Sequence, residues 1–287
     1  FCLSRGLGDV YKRQAEICAM DDNDICLVAV GGDGTANEVI NGITDFEKVR
    51  FGVIPTGSGN DLARGLSLSK DPKNGAIHIL NAMKKSREDT WCMDLGEVNF
   101  GEKKRLFAIS AGIGLDALVC KKALKSTIKD ILNKIRLGKL TYLVLTVQSL
   151  FTMQTADAEI FFDREEGLQK KRMIFTAAMN FKAEGGGVPM APAASACDGK
   201  LSFCEAAGIP KWRTFLCLPF LVAAKHTSIH GFSVTDAKDC TIRLSRPLVV
   251  HADGEYCGEV TEVHFHCLPG KLRVLKSVSY THLRAHE

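Results

Sequence analysis

The pattern of apolar positions changes period about a third of the way along the chain. Residues 25–30 form an unbroken apolar run of strand length and 51–54 a second, so both read as strands buried on two faces, as in a parallel sheet. Each run passes through glycines into helix-forming sequence. Gly31-Gly32-Asp33-Gly34-Thr35 leads into a helix that continues through 37–42, and Thr56-Gly57-Ser58-Gly59-Asn60-Asp61 into one over 60–66. Asp71-Pro72 supplies an N-cap and a first-turn proline for a third helix. Along it Ala76, Ile77, Leu80 and Met83 recur at helical spacing, which predicts that these four are its buried stripe. From Trp91 onward short strands are predicted at 92–98, 105–110, 157–162, 173–179, 200–205, 239–244, 248–252 and 262–267, with turn residues between them. The fold class is therefore an α/β domain with a parallel sheet, followed by a second, antiparallel β-sandwich domain. Residues 117–153 interrupt the strand pattern with helical composition.

The two glycine-rich loops carry the candidate chemistry. Glycines directly after buried strands let bare N–H groups approach an anion, and the helix that follows adds its dipole. Asp33 inside the first loop would repel a phosphate unless a cation stood between them, which a magnesium nucleotide supplies. No Gly-Lys-Ser/Thr follows either loop, and neither matches G-x-G-x-x-G, which argues against P-loop and Rossmann dinucleotide readings.

Composition narrows the picture further. A chain of 287 residues, 46% of them apolar, can bury one large core or two modest ones, and its formal charge of +4 does not by itself indicate nucleic acid. The 11 cysteines are odd in number and lack C-x-x-C spacing, so neither a disulfide framework nor a zinc ribbon is expected, and a reducing cytoplasm is the simplest setting. The longest apolar runs, such as 215–224, reach about half the ~20 residues a membrane span needs. No transmembrane helix or secretory signal is expected. The end segments 1–14 and 277–287 read as foreign to the fold and are set aside.

The loop Gly31-Gly32-Asp33-Gly34-Thr35 with Ala36-Asn37-Glu38, and Pro55 through Arg64 with its Thr-Gly-Ser-Gly-Asn-Asp core, resemble the catalytic domain of the diacylglycerol kinase family, nearest its soluble bacterial lipid kinases. NAD kinases share only the first of these motifs. The resemblance covers about 15–275. It implies an NAD-kinase-like α/β domain over 15–93 plus about 272–276, and a β-sandwich over 94–271 carrying the 117–153 insertion. It also implies a preceding strand and an Asn-Pro-x-x-Gly loop that this sequence does not show. The activity it implies is transfer of the γ-phosphoryl group of ATP to a lipid hydroxyl, with Mg²⁺, at the inner face of a membrane. Diacylglycerol is the first acceptor, with a sphingoid base, phosphatidylglycerol, or a non-catalytic nucleotide- or lipid-binding module as alternatives. No nucleic-acid partner is indicated, and a homodimer is admitted.

The same resemblance assigns residues. Gly31, Gly32, Asp33, Gly34, Thr35, Asn37, Gly57, Ser58, Gly59 and Asn60 are expected on the nucleotide, and Asp33, Asp61 and Asp94 in a water-mediated magnesium network. Glu255 of Asp253-Gly254-Glu255 is expected to be the general base, with Asp33 also catalytic. Asp198, with the carbonyls of Ser195 and Lys200, is expected to hold a structural magnesium, an oxygen-only donor set suited to a hard cation. Cys197 stands where the family often has a second acid. From the residues alone, Asp61 also reads as a helix N-cap, Asp94 as a turn carboxylate, and Asp198-Gly199 and Asp253-Gly254 as hairpin turns. Lys121, Lys122, Lys125, Lys129, Lys134, Arg136 and Lys139 oppose a lone Asp130, a pattern that fits a solvated helical face or a patch against anionic lipid. His226 and His230, four residues apart, lack a third ligand, while His264 and His266 alternate on one strand face, so no histidine is given a role.

Overall fold

A computed structural model describes residues 24–69, 71–125, 138–163 and 166–276. The segments 1–14 and 277–287 lie outside these. Internal contacts divide the chain into two units, one holding the described residues up to Met93 together with those from Gly270, the other Asp94–Pro269.

The first unit begins with β1 (Ile25–Gly31), α1 (Asp33–Asn41), β2 (Val49–Pro55), α2 (Asp61–Gly65) and α3 (Pro72–Met83). The apolar runs do form parallel strands, paired in register from Ile25 with Val49 to Gly31 with Pro55. A third parallel strand comes from the far end of the chain, where Arg273 and Val274 of β12 (Glu255–Val274) lie beside Arg50 and Phe51. All of β2 is buried. That burial includes Arg50, whose guanidinium is held by the Asp24 carboxylate at 2.6 and 2.7 Å and by the Lys85 carbonyl at 3.0 Å. The Asp71 side chain caps α3 by accepting from the Lys73 N–H, with Pro72 opening the helix.

The buried stripe of α3 differs from the expected one. Ile77 and Leu80 are more than half exposed, Met83 is exposed at 38%, and the buried positions are Gly75, Ile79 and Ala82. The helix carries apolar residues on two faces, and the face with small residues lies closest to the sheet. Gly52 of β2 leaves room for the Ile79 δ-methyl, which would stand 2.8 Å from a Cβ at that position. Ala76 packs on this small core only from its margin.

The second unit receives β3 (Trp91–Phe100), then β4 (Lys103–Phe107), β5 (Ser110–Gly114), α4 (Leu115–Lys125), α5 (Gly138–Thr152), β6 (Ala156–Phe162), β7 (Leu168–Met173), β8 (Phe175–Met179), β9 (Leu201–Ala206), α6 (Lys211–Val222), β10 (Phe232–Ala237), β11 (Asp239–Ala252) and most of β12. Strands β12-β11-β5-β8-β9-β10 neighbour one another in that order, while β6 also pairs with β11, β7 with β6, β3 with β12 and β4 with β3. The two strands expected at 239–244 and 248–252 are one. Residues 240–244 pair with β6 and 250–252 with β5, and the register breaks between Arg243 and Leu248, around Pro247, which cannot donate to a ladder. One long strand thus changes neighbours midway.

Residues 173–179 are split at Ile174 into β7 and β8, and 105–110 likewise divides between β4 and β5. Strands β7 and β10 lacked an apolar signal, because β7 (Leu-Gln-Lys-Lys-Arg-Met) is a polar edge strand and β10 buries only its ends. The sandwich core centres on Phe162, Phe203 and Phe265, whose rings contact at 5.4 and 5.9 Å. A second cluster packs α4, α5 and α6 over β8 and β9 through Val119, Leu150, Phe175, Cys204 and Leu221. No helix among the described residues is long and apolar enough to cross a membrane.

Phe203 is fully buried and touches both other rings of the sandwich core. Phe203→Ala is expected to cost about 3–5 kcal/mol in urea unfolding and Phe203→Leu distinctly less. Equal losses would show that the ring cluster is not what the core depends on.

Candidate active site

In the first unit the two loops meet backbone to backbone. A Cβ on Gly57 would stand 2.5 Å from the Gly32 Cα, and one on Gly32 would lie 3.3 Å from the Gly57 Cα, so side chains at these positions would push the loops apart. The Thr56 N–H also bonds the Gly31 carbonyl at 2.9 Å. Gly32 is the N-cap of α1 and offers no side chain to its first amides, which leaves that helix end free to meet an anion. Asn60, in the left-handed region at φ 52°, closes the second loop by accepting from the Gly57 N–H and donating to the Gly57 carbonyl. Ser58 is exposed at the tip. Asn37 is buried and accepts from the Asn41 amide.

The acids of this unit come together. Asp33 accepts from the Asp61 and Leu62 N–H groups, both at 3.0 Å, and so caps α2 from across the loops. Asp61, read from sequence as a possible N-cap, instead pairs with Arg64, whose other nitrogen donates to the Gly59 carbonyl at 2.9 Å. Burial raises the Asp33 pKa above its ordinary value, against the pull of the Leu62 N–H and the Arg64 guanidinium.

In the second unit the Asp-Gly-Glu turn separates its two acids. Asp253 and Gly254 both have positive φ, 48° and 84°, as a type I′ turn requires. The Asp253 carboxylate is buried and accepts three main-chain N–H groups, from Ala108 and Ile109 at 2.8 Å and Ser110 at 3.0 Å. Its own N–H returns to the Ser110 carbonyl. Glu255 is half-buried, and no donor among the described residues bonds its carboxylate.

Beside this turn lies a cluster that sequence reasoning missed. Carboxylate oxygens of Asp116 and Glu184 and a ring nitrogen of His251 lie within 4.8 Å of one another. His251 Nδ1 accepts from the Gly254 N–H at 3.2 Å, so the neutral ring carries its proton on Nε2, which faces Asp116 Oδ2 at 3.2 Å. Gly112 makes room, since a Cβ there would stand 1.8 Å from that oxygen. A neutral His251 bound to a metal through Nε2 would carry its proton on Nδ1, against the Gly254 N–H, so the arrangement suits a proton network better than an ion. Burial raises the Glu184 pKa; burial alone would lower that of His251, but Asp116 and Glu184 raise it overall. The partners lie far apart in sequence, 135 residues for His251 and Asp116, which is why no local motif revealed them.

Asp94 and Asp198 also share a neighbourhood. Asp94 Oδ2 accepts from the Gly199 N–H at 2.8 Å and the Asp94 N–H donates to the Ala196 carbonyl, which fixes the 196–199 turn. Asp198 is exposed and takes the Lys200 N–H at 3.1 Å, the geometry of an Asx turn. Fully buried Asn180 ties this group to the Asp253 anchor by donating to the carbonyls of Asp94 and Ala108. Among the basic residues of the insertion, Lys121 pairs with Glu259 at 2.5 Å and Lys122 bonds Thr152, so these two are engaged internally. Side chains of the other five lie outside the described residues. His226 is buried on the Met190 carbonyl, and His264 and His266 both meet Asp239.

The pH dependence of stability follows from the raised pKa values. His251 contributes stability fully below its ordinary value of 6.5, which is lost as pH rises through the raised folded value, and half-buried Glu184 acts with the same sign from 4.5 upward. The melting temperature is expected to fall as pH rises above about 6, less steeply in His251→Asn than in the parent. Parallel declines would remove the cluster from the account.

Comparison with known proteins identifies the family of the fold. The diacylglycerol kinase catalytic domain matches residues 11–93, and the YegS C-terminal NAD kinase beta sandwich-like domain matches 110–276. YtlR of Bacillus subtilis (strain 168), named as a candidate lipid kinase, is 29% identical over 86% of this chain and 79% of its own length. A diacylglycerol kinase of the same strain is 27% identical over 85% of this chain and 75% of its own. The fold is shared with the crystal structure of a candidate diacylglycerol kinase from Bacillus anthracis (strain Sterne), at TM-score 0.73 and 22% identity, covering 96% of this chain and 85% of that one. With the sandwich model alone spanning more than half of the chain, the protein belongs to the diacylglycerol kinase and YegS-like family and is a lipid kinase.

Proposed function

We propose that the protein transfers the γ-phosphoryl group of ATP to the hydroxyl of diacylglycerol or a closely related lipid. The observation that carries this reading is the unequal state of the two acids in the Asp-Gly-Glu turn. Asp253 is consumed by three amides, whereas the Glu255 carboxylate has no hydrogen-bond partner among the described residues, on a turn that those amides anchor. A base must be held in place and still be able to accept a proton, and Glu255 meets both conditions.

The glycine contact between the two loops and the uncapped start of α1 suit the phosphates of a nucleotide. Asp33, engaged with α2, holds the loops together and sets a negative charge beside them that a cation would offset. The exposed Asp198 carboxylate, with the carbonyls of Ser195 and Lys200, offers the oxygen donors that magnesium prefers, although Cys197 supplies none. A magnesium held there would be structural, fixing that turn, whereas a magnesium carried by the nucleotide beside Asp33 would neutralise charge developing on the transferred group. Phosphoryl transfer depends chiefly on such positioning, and proton acceptance by Glu255 is the covalent share of the protein.

Incubation with ATP labelled at the γ-phosphate and micelles of diacylglycerol, sphingoid base or phosphatidylglycerol is expected to place label in the diacylglycerol product. Label entering another lipid instead reassigns the substrate, and nucleotide binding without any labelled lipid supports a non-catalytic module. Gly57→Ala is expected to weaken ATP binding by at least ~tenfold by forcing the loops apart while leaving the second unit folded. Unchanged affinity would move the nucleotide elsewhere.

A further inference from the structure

Helix α6 buries only Thr214, Cys217 and Leu221, yet most of its outward positions are also apolar. Trp212 is 61% exposed, Leu216 56% and Val222 66%, with Phe215 and Phe220 exposed between them. Phe215 contacts Phe151 of α5 with ring centroids 6.0 Å apart, so the apolar surface continues onto that helix. A surface helix ordinarily turns charged or polar residues outward, and large contiguous apolar patches are rare on monomeric soluble proteins.

Charge identifies what covers this face. Residues 211–225 contain Lys211, Arg213 and Lys225 and no acid. Arg213 and Lys225 are exposed, while Lys211 is held by the carbonyls of Phe151 and Met153. An apolar face that carries a tryptophan and is flanked by cations matches the interfacial zone of a membrane containing anionic lipid. A symmetric contact between two copies would bring the cations of both together. At twelve residues α6 is too short to span a bilayer and would lie in its plane.

We infer that the outward face of α6, extended by Phe151, docks the enzyme onto an anionic bilayer. The inference rests on the lipid-kinase reading for its choice of a membrane over a protein partner, and it assigns the docking to residues distinct from the basic insertion.

The chain has 2 tryptophans, so Trp91→Phe in the full chain leaves Trp212 as the sole reporter. Without ATP, vesicles of equal phosphatidylglycerol and phosphatidylcholine are expected to blue-shift Trp212 emission and sediment the protein, whereas phosphatidylcholine alone binds it much more weakly. Arg213→Gln with Lys225→Gln is expected to lower the partition coefficient roughly 25-fold, at about fivefold per cation. In the Trp91-containing parent, Trp212→Ala with Phe220→Ala is expected to lower it at least ~tenfold. Both double variants should melt like their parents and keep turnover on a monomeric short-chain diacylglycerol. Vesicle binding without turnover on any lipid supports the docking face and counts against the kinase substrate reading alone. Unshifted emission, or partition unchanged in the double variants, overturns the inference. A dimer that Trp212→Ala dissociates, in a protein that ignores vesicles, also overturns it and gives the face to a second copy.

Discussion

The buried carboxylate of Asp253 is the constraint on which the second unit depends. It accepts three consecutive amides at the turn from β4 into β5, a segment 143 to 145 residues earlier in sequence. Those amides would otherwise be buried without partners, at a cost of about 1–3 kcal/mol each. The same contact fixes the β11–β12 turn, and with it the place from which Glu255 projects. Asn180 and His251 brace the anchor from two sides, Asn180 through the Ala108 carbonyl and His251 through the Gly254 N–H. A turn held at this many points keeps its backbone while the Glu255 carboxylate has no hydrogen-bond partner among the described residues.

The first unit solves a comparable problem by removing side chains. Gly32 and Gly57 bring two loops into main-chain contact, and Asp33 spans them by capping α2. Burial of that carboxylate raises its pKa, and the N–H groups of α2 together with Arg64 pull it partly back down. Here the cap accounts for the residue structurally, and on the proposed nucleotide reading its charge would call for a cation beside the phosphates.

Much of this was legible in the sequence. Continuous apolar runs leading into glycine-rich loops identified β1 and β2, and Asp71-Pro72 marked the start of α3, because each signal is local. The outward face of α3 was misjudged because Ile77 and Leu80 follow helical spacing as well as Ile79 and Ala82 do, and only the glycine at position 52 decides which face packs. Strand β11 was split at Pro247 because a sequence cannot show that a strand changes partners midway. The motif acids were named from resemblance, but the roles of Asp116, Asn180, Glu184 and His251 depend on contacts between segments far apart in the chain.

The division of labour within Asp253-Gly254-Glu255 is the central claim, and one paired measurement addresses it: melting temperature and kcat for Glu255→Gln and Asp253→Asn. The account predicts that Glu255→Gln melts like the parent but loses ~10² to 10⁴ in kcat with nucleotide affinity little changed, because the amide keeps the shape and cannot take the proton. It predicts that Asp253→Asn melts lower, because an amide NH₂ replaces one of the oxygens that face the 108–110 amides. A larger loss of kcat at Asp253 with an unchanged melting temperature would contradict it and move the base to that residue.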